Sequence, residues 1–315
     1  MRIALITPAR PTARAGNWHT ARRWADLLRE LGHRVRVETV WSGADADAMI
    51  ALHARRSHES IRRFARGGPG RPLAVVLTGT DLYRDIRSDA DARESLRLAT
   101  RLVVLQDRGP LELAPALRRK TRVIYQSTPP VAPVPPLRRV FEVSTIGHLR
   151  DEKDPFLLAA ALAHLPAASR IRAVQIGAAM TQEYADAARD WERRERRYRW
   201  PGELPHGSAL RRLARSRLLV VSSRMEGGAN VISEAIAAGV PVLASRIPGN
   251  VGMLGSRYGG YFPVGDERRL ARLLQRAESD PAFLRALARA VRARRPLIRR
   301  SRERAALRNL LAELA

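Results

Sequence analysis

The chain has 315 residues, 45% hydrophobic and 28% charged, with a formal net charge of +26 and no cysteine. This length suits two domains of about 150 residues, each able to bury a core. The lack of cysteine excludes disulfides, a thiolate nucleophile and any zinc–cysteine site. No apolar run approaches the roughly 20 residues of a transmembrane helix, and Met1–Ile6 is too short for a signal peptide's apolar region. A cytoplasmic protein without a membrane span is expected. A positive charge this large ordinarily points to nucleic acid. Here the arginines are scattered along the whole chain, aromatics are 5%, and the lysines are Lys120 and Lys153 alone. Arginine usage therefore accounts for the charge, and no nucleic-acid partner is expected.

In chain order, Arg2–Thr7 reads as a strand, and a loop leads to Asn17. Trp18, Ala21, Trp24, Ala25, Leu28 and Leu31 recur at helical spacing up to Gly32, and Val35–Val40 returns as a strand, closing a βαβ unit. Met49–His53, Leu73–Leu77, Leu102–Leu105 and Val123–Tyr125 read as further strands with helices between, before the proline-rich stretch Pro129–Pro136. The alternation then restarts with Phe141–Ile146, Ile171–Ile176, Leu218–Val221, Val240–Ala244 and Gly260–Pro263. Asp280–Ala315 reads as helical and polar, with a break near Pro296. The pattern is that of parallel α/β units. It predicts domains at 1–135 and 136–295 with a closing helix at 296–315.

The segment Glu226-Gly-Gly-Ala-Asn-Val-Ile-Ser-Glu234 follows the buried strand Leu218–Val221 and opens a predicted helix. Backbone N–H groups at a helix start, with the positive end of the helix dipole, can hold a diphosphate that glycines allow to approach closely. Glu226 on the loop and Glu234, about two turns into the helix, can accept hydrogen bonds from hydroxyls on either side of it. A nucleotide sugar has that layout. No Gly-x-Gly-x-x-Gly follows the first strand, which disfavours NAD. Gly16 and Asn17 open the first helix, with Asn17 also a good N-cap. His53 and the stretch Thr78-Gly-Thr-Asp81 end strands of the first domain.

The spacing of Glu226 and Glu234, with Ala235-Ile-Ala-Ala-Gly-Val-Pro-Val-Leu-Ala244 behind them, resembles the Glu-x7-Glu motif of the family 4 glycosyltransferases. The resemblance implies the GT-B architecture, two Rossmann-like domains with parallel sheets facing across a cleft, and a UDP-sugar co-substrate. It also implies that the closing helix returns to the first domain. Ile146-Gly-His-Leu-Arg-Asp-Glu-Lys-Asp-Pro155 is similar to the family's diphosphate-binding segment, which makes Arg150 and Lys153 catalytic candidates beside Glu226. These cations would stabilise charge growing on the departing phosphate, with no metal or other cofactor required. Donor contacts are then expected from Gly16, Glu203, Leu204, Gly227, Gly228, Ala229, Asn230 and Glu234. Glu203 and Leu204 would meet the base, with Trp200 packing nearby and Arg246 or Asn250 reaching donor or acceptor. Asn17, His53, Arg55, Thr80 and Asp81 are the acceptor or cleft candidates, with Arg14 and Arg56 adding positive potential. The family's histidine near Thr78–Asp81 is absent, which leaves a general base unassigned.

Pro8–Asn17, Ala51–Ser57, Leu77–Arg84, Gly147–Arg150 and Ser222–Asn230 are more narrowly similar to the selenosugar synthases of selenoneine biosynthesis. That similarity implies UDP-N-acetylglucosamine as donor, selenophosphate as acceptor, a selenosugar as product, and pathway enzymes as partners. Composition and spacing do not show selenium. A conventional family 4 enzyme acting on a lipid, cell-wall or small-molecule acceptor would share the entire donor site. A nucleic-acid binder and a non-catalytic sugar-nucleotide sensor are the other readings.

Overall fold

The computed structural model describes residues 1–9, 16–68 and 70–314. It comprises two compact units, one of Met1–Ser127, Glu226–Gly228 and Arg299–Ala315, the other of Thr128–Met225 and Ala229–Ile298. The division falls before the proline-rich stretch rather than at residue 135. Thr128 N–H donates to the Ile298 carbonyl at 3.2 Å, which holds that stretch within the second unit.

The first unit is built on β1 (Arg2–Ile6), β2 (Arg34–Glu38), β3 (Ala48–Leu52), β4 (Leu73–Leu77), β5 (Arg101–Val104) and β6 (Thr121–Val123). They form one parallel sheet in the order β2-β1-β3-β4-β5-β6. Strands β3 and β4 are buried at every position, which is why they read as unbroken apolar runs, whereas edge strand β2 alternates arginine with valine. Side chains along β1 go alternately to the two faces. Ala4 and Ile6 join one core with Met49, Phe64 and Val75, while Ile3 and Leu5 join another with Trp24 and Leu28. The helix Arg300–Leu314 completes this second core with Leu307, Leu310, Leu311 and Leu314. The helix carrying Trp24 runs Gly16–Glu30, so Asn17 is its second residue and not its cap, and Arg14 lies outside the described residues.

The second unit is built on β7 (Phe141–Ile146), β8 (Ile171–Ile176), β9 (Tyr198–Arg199), β10 (Leu218–Val221), β11 (Val242–Ser245) and β12 (Tyr261–Phe262). All neighbours are parallel, in the order β12-β11-β10-β7-β8-β9. This is the Rossmann order, with the strand sequence reversing between β7 and β10. Each unit is thus a Rossmann-like α/β domain, and together they give the GT-B architecture. Among the described residues no helix is long and apolar enough to cross a membrane.

Candidate functional site

In the second unit the site follows from topology. Strands β7 and β10 are hydrogen-bonded neighbours but far apart in sequence, and in doubly wound sheets ligands bind beyond the carboxyl ends of the strands at such a reversal of strand order. The β7 loop brings Arg150 and Lys153 there. Gly147 has φ +158°, and a Cβ on it would stand 3.7 Å from Lys153 Cδ and Cε, so the lysine stem lies against this glycine. Arg150 is half exposed, with Nε 3.7 Å from Glu152 Oε2. Asp154, which follows Lys153, holds a left-handed conformation (φ +45°) that is uncommon outside glycine. Two residues of the β10 loop fix this turn. Ser222 Oγ lies 2.9 Å from both the Lys153 and Asp154 carbonyls, and Arg224 N–H donates to Glu152 O at 2.9 Å. The loops after β7 and β10 are therefore one hydrogen-bonded structure.

The helix after the glycine pair runs Asn230–Ala238, behind Ala229, and no side chain caps its start. Uncapped N–H groups at a helix start are suited to an anion. Glu234 is the fifth residue of this helix, one turn in rather than two, because the helix begins beyond the glycines. Its carboxylate accepts from His206 Nε2 at 2.8 Å. His206 begins the helix His206–Arg215 and carried no motif signal in the sequence. The hydrogen bond to Glu234 raises the His206 pKa against a smaller opposing effect of burial. A raised histidine pKa means that the pair's stabilisation is complete below the unfolded value near 6.5 and is lost as pH rises through the folded value. In an NMR titration His206 should show a midpoint above 6.5 that falls in Glu234→Gln; an identical midpoint in the two proteins would exclude the pairing.

In the segment that ends β9, Trp200 donates its indole N–H to Gly177 O at 2.9 Å, a packing role. Leu204 packs against Val174, Ile176 and Ala209, while Glu203 is exposed. Asn250 is fully buried, and its amide N–H group donates to Ser245 O at 2.9 Å, so it belongs to the interior and not to a cleft surface. Arg246 is exposed, with its guanidinium 5.5 Å from the Tyr261 ring.

In the first unit the carboxyl ends of β3 and β4 carry a polar cluster. His53 is buried and has φ +73°. Arg56 N–H donates to its Nδ1 at 3.3 Å, so the ring proton is on Nε2, which donates to Thr80 Oγ1 at 2.9 Å. Burial is the main cause of a lowered pKa for His53, with Asp81 and Asp85 opposing it, and the ring is neutral near pH 7. Asp81 has no exposed surface. It accepts from Ala54 N, Thr78 N and Gly79 N, each at 2.9 Å, so it locks the two loops and cannot meet a substrate hydroxyl. Asp85, which had no signal in the sequence, is also buried and takes Arg55 Nε at 2.9 Å and Arg84 Nε at 3.2 Å. Burial raises its pKa, but the two guanidinium bonds outweigh that and lower it.

Glu226–Gly228 belongs with the first unit because its backbone lies against Thr78 and Leu105. Glu226 is 8% exposed. A Cβ on Gly227 would come within 2.2 Å of Thr78 O, so only glycine fits there. Gly227→Ala should cost about 1–3 kcal/mol and lower activity through the displaced loop. An unchanged urea midpoint in that variant would refute so close an approach.

Residues 139–294 match the family described as glycosyl transferases group 1. No curated protein sequence matches the chain. Among solved structures, sucrose-phosphate synthase from Thermosynechococcus elongatus is 18% identical at a TM-score of 0.77, covering 100% of this chain and 99% of its own. The Anabaena protein HepE, in complex with UDP and glucose, is 16% identical at a TM-score of 0.73, covering 99% and 98%. A mutant of S. aureus TarM, in complex with fondaparinux, alpha-GlcNAc-glycerol and UDP, is 16% identical at 0.64, covering 85% of this chain and 56% of its own. The chain thus has the GT-B fold along its whole length, and residues 139–294 of it match the glycosyl transferases group 1 family.

Proposed function

We propose that the protein transfers a hexose, with N-acetylglucosamine the preferred candidate, from its UDP-sugar to a nucleophilic acceptor. The observation that carries this reading is the pairing, at the reversal point of the second sheet, of an uncapped helix start with a loop bearing Arg150 and Lys153. In this reading the acceptor atom bonds to the anomeric carbon as the bond from that carbon to the diphosphate oxygen breaks, a hydroxyl acceptor passes its proton to that departing oxygen, and UDP leaves. Arg150, Lys153 and the amides near Gly228, Ala229 and Asn230 take the charge that develops on the leaving phosphate. Glu226 accepts a hydrogen bond from a sugar hydroxyl, and Glu234 from the ribose once it exchanges His206 for it. Glu203 and Leu204 offer backbone groups to the base. In the first unit Thr80, with Asn17 and Arg55, orients the acceptor, and neutral His53 sets the Thr80 hydroxyl.

A hydroxyl acceptor on a lipid, a cell-wall polymer or a small molecule is the better-supported class. The proteins of like fold include a sucrose-phosphate synthase and one solved with alpha-GlcNAc-glycerol. Selenophosphate as acceptor, with a carbon–selenium bond in the product, rests on the sequence resemblance alone. Mass spectrometry of the protein with UDP-N-acetylglucosamine and, in parallel, glycerol, sugar-phosphate and selenophosphate acceptors tests both, with Glu226→Ala as control. A hexosamine adduct lost in Glu226→Ala supports transfer, and its mass, with or without selenium, chooses the acceptor. Absence of both UDP release and adduct across a panel of UDP-sugars would overturn the enzyme reading.

A further inference from the structure

His58, Asp91 and Glu94 form a cluster in the first unit that the proposed reaction does not use. His58 opens the helix His58–Arg66, and the two carboxylates lie in the first half of the helix Ala90–Leu98. The histidine is 8% exposed. Its proton positions follow from its neighbours. Ser95 has one hydroxyl hydrogen, which it donates to Ala54 O at 2.7 Å. Towards His58 Nδ1, 3.0 Å away, Ser95 Oγ can therefore only accept, so Nδ1 carries a proton. The second nitrogen, Nε2, faces Glu94 Oε2 at 3.3 Å and Asp91 Oδ1 at 3.5 Å.

Those separations are longer than the roughly 2.7–2.9 Å of a charge-assisted hydrogen bond. They match the edge, about 3.3 Å, of a tetrahedron whose metal–ligand bonds are about 2.0–2.1 Å. A histidine whose far nitrogen is held as a donor, with the near one aimed between carboxylates, is also the usual outer-shell arrangement of a metal-binding imidazole. We propose that His58 Nε2, Asp91 and Glu94 bind one divalent cation of the zinc type. The imidazole ligand and the low count of carboxylates disfavour magnesium and calcium, which take oxygen shells of six or more. The Asp91 side chain is 63% exposed, so water completes the fourth position. Such an ion ties the two helices together. Through Ser95 and Ala54 it also braces the turn that holds His53 in its left-handed conformation.

The test uses tag-free, EDTA-treated full-length protein titrated with Co2+, with the Asp91→Asn/Glu94→Gln double variant alongside. Both substitutions are on solvent-facing carboxylates, and circular dichroism checks that the variant is folded. The wild type should take up one equivalent with the visible bands of tetrahedral cobalt, displaced by Zn2+, and Zn2+ should raise its thermal midpoint. The double variant should lose the bands and bind at least about tenfold more weakly. Absence of tetrahedral bands in the wild type, or equal binding by the variant, would overturn the proposal and leave an imidazole–carboxylate ion pair. His58→Gln gives a second reading through the nitrogen ligand, with the same loss expected.

Discussion

Alanine at both Arg150 and Lys153 is expected to lower kcat for UDP-sugar turnover by at least about 10²–10³-fold, with the urea midpoint unchanged. That magnitude is typical of removing preorganised stabilisation from a charge that develops in the transition state. Arg150 is exposed, and Lys153 rests its stem on Gly147, so neither side chain fills the core. The turn itself is held by backbone groups, through Ser222 and Arg224, and should survive the double substitution. If the two cations act on the leaving phosphate, kcat falls more than affinity for UDP-sugar. A variant with weaker donor binding but an intact kcat would show that they bind ground state and transition state alike. An unaffected rate would remove them from the mechanism.

Glu303→Ala is expected to destabilise the first unit by about 3–5 kcal/mol, the range for breaking a buried ion pair from one side. Glu303 is 1% exposed, and its carboxylate accepts from Arg23 Nε at 3.1 Å, Trp24 Nε1 at 2.7 Å, Ser127 N at 2.9 Å and the Ser127 hydroxyl. Alanine would take the carboxylate from the guanidinium of Arg23, which is 17% exposed and keeps Gln126 Oε1 at 2.6 Å, and would strand an indole N–H within the core. Glu303→Gln keeps the volume but removes the charge and should fall between the two. Urea unfolding followed by tryptophan fluorescence measures the loss. The transition is scored for the first unit separately, because two domains need not unfold together. A change below about 1 kcal/mol in Glu303→Ala would mean that Leu307, Leu310, Leu311 and Leu314 hold the helix by themselves.

Much of the architecture was legible because fully buried parallel strands announce themselves as apolar runs. Leu73–Leu77 and Ile171–Ile176 match the observed strands residue for residue. The two-residue edge strand β9 (Tyr198–Arg199) carries no period and no strand signal, although the equally short β12 (Tyr261–Phe262) falls within the expected strand Gly260–Pro263. The helix begins later than the sequence suggests, at Asn230, because Gly227 and Gly228 resemble a first turn. Gly227 is instead required by the approach of Thr78, a contact with a residue remote in sequence. Asp81 looked like a substrate ligand because an acid after a strand is ambiguous. Only its three backbone donors reveal it as a loop clamp. His206 and Asp85 carry no signal in the sequence because a single titratable residue has no meaning until its partner is known.

By itself the sequence determined the alternation of strands and helices, the restart after the proline-rich stretch, and the presence of Arg150, Lys153 and Glu226 in strand-to-helix loops and of Glu234 in the helix that follows. These are local properties, encoded in periodicity and spacing over a few residues. The tertiary structure alone decided that β10 lies beside β7, which unites the Arg150–Lys153 turn with the Ser222 loop. It also decided that Glu234 meets His206, that Asp81 is consumed internally, and that Glu303 buries its charge beside Arg23 and Trp24. Each of these pairings joins groups distant in the chain or depends on burial, and burial and hydrogen bonding are set by which surfaces meet when the chain packs.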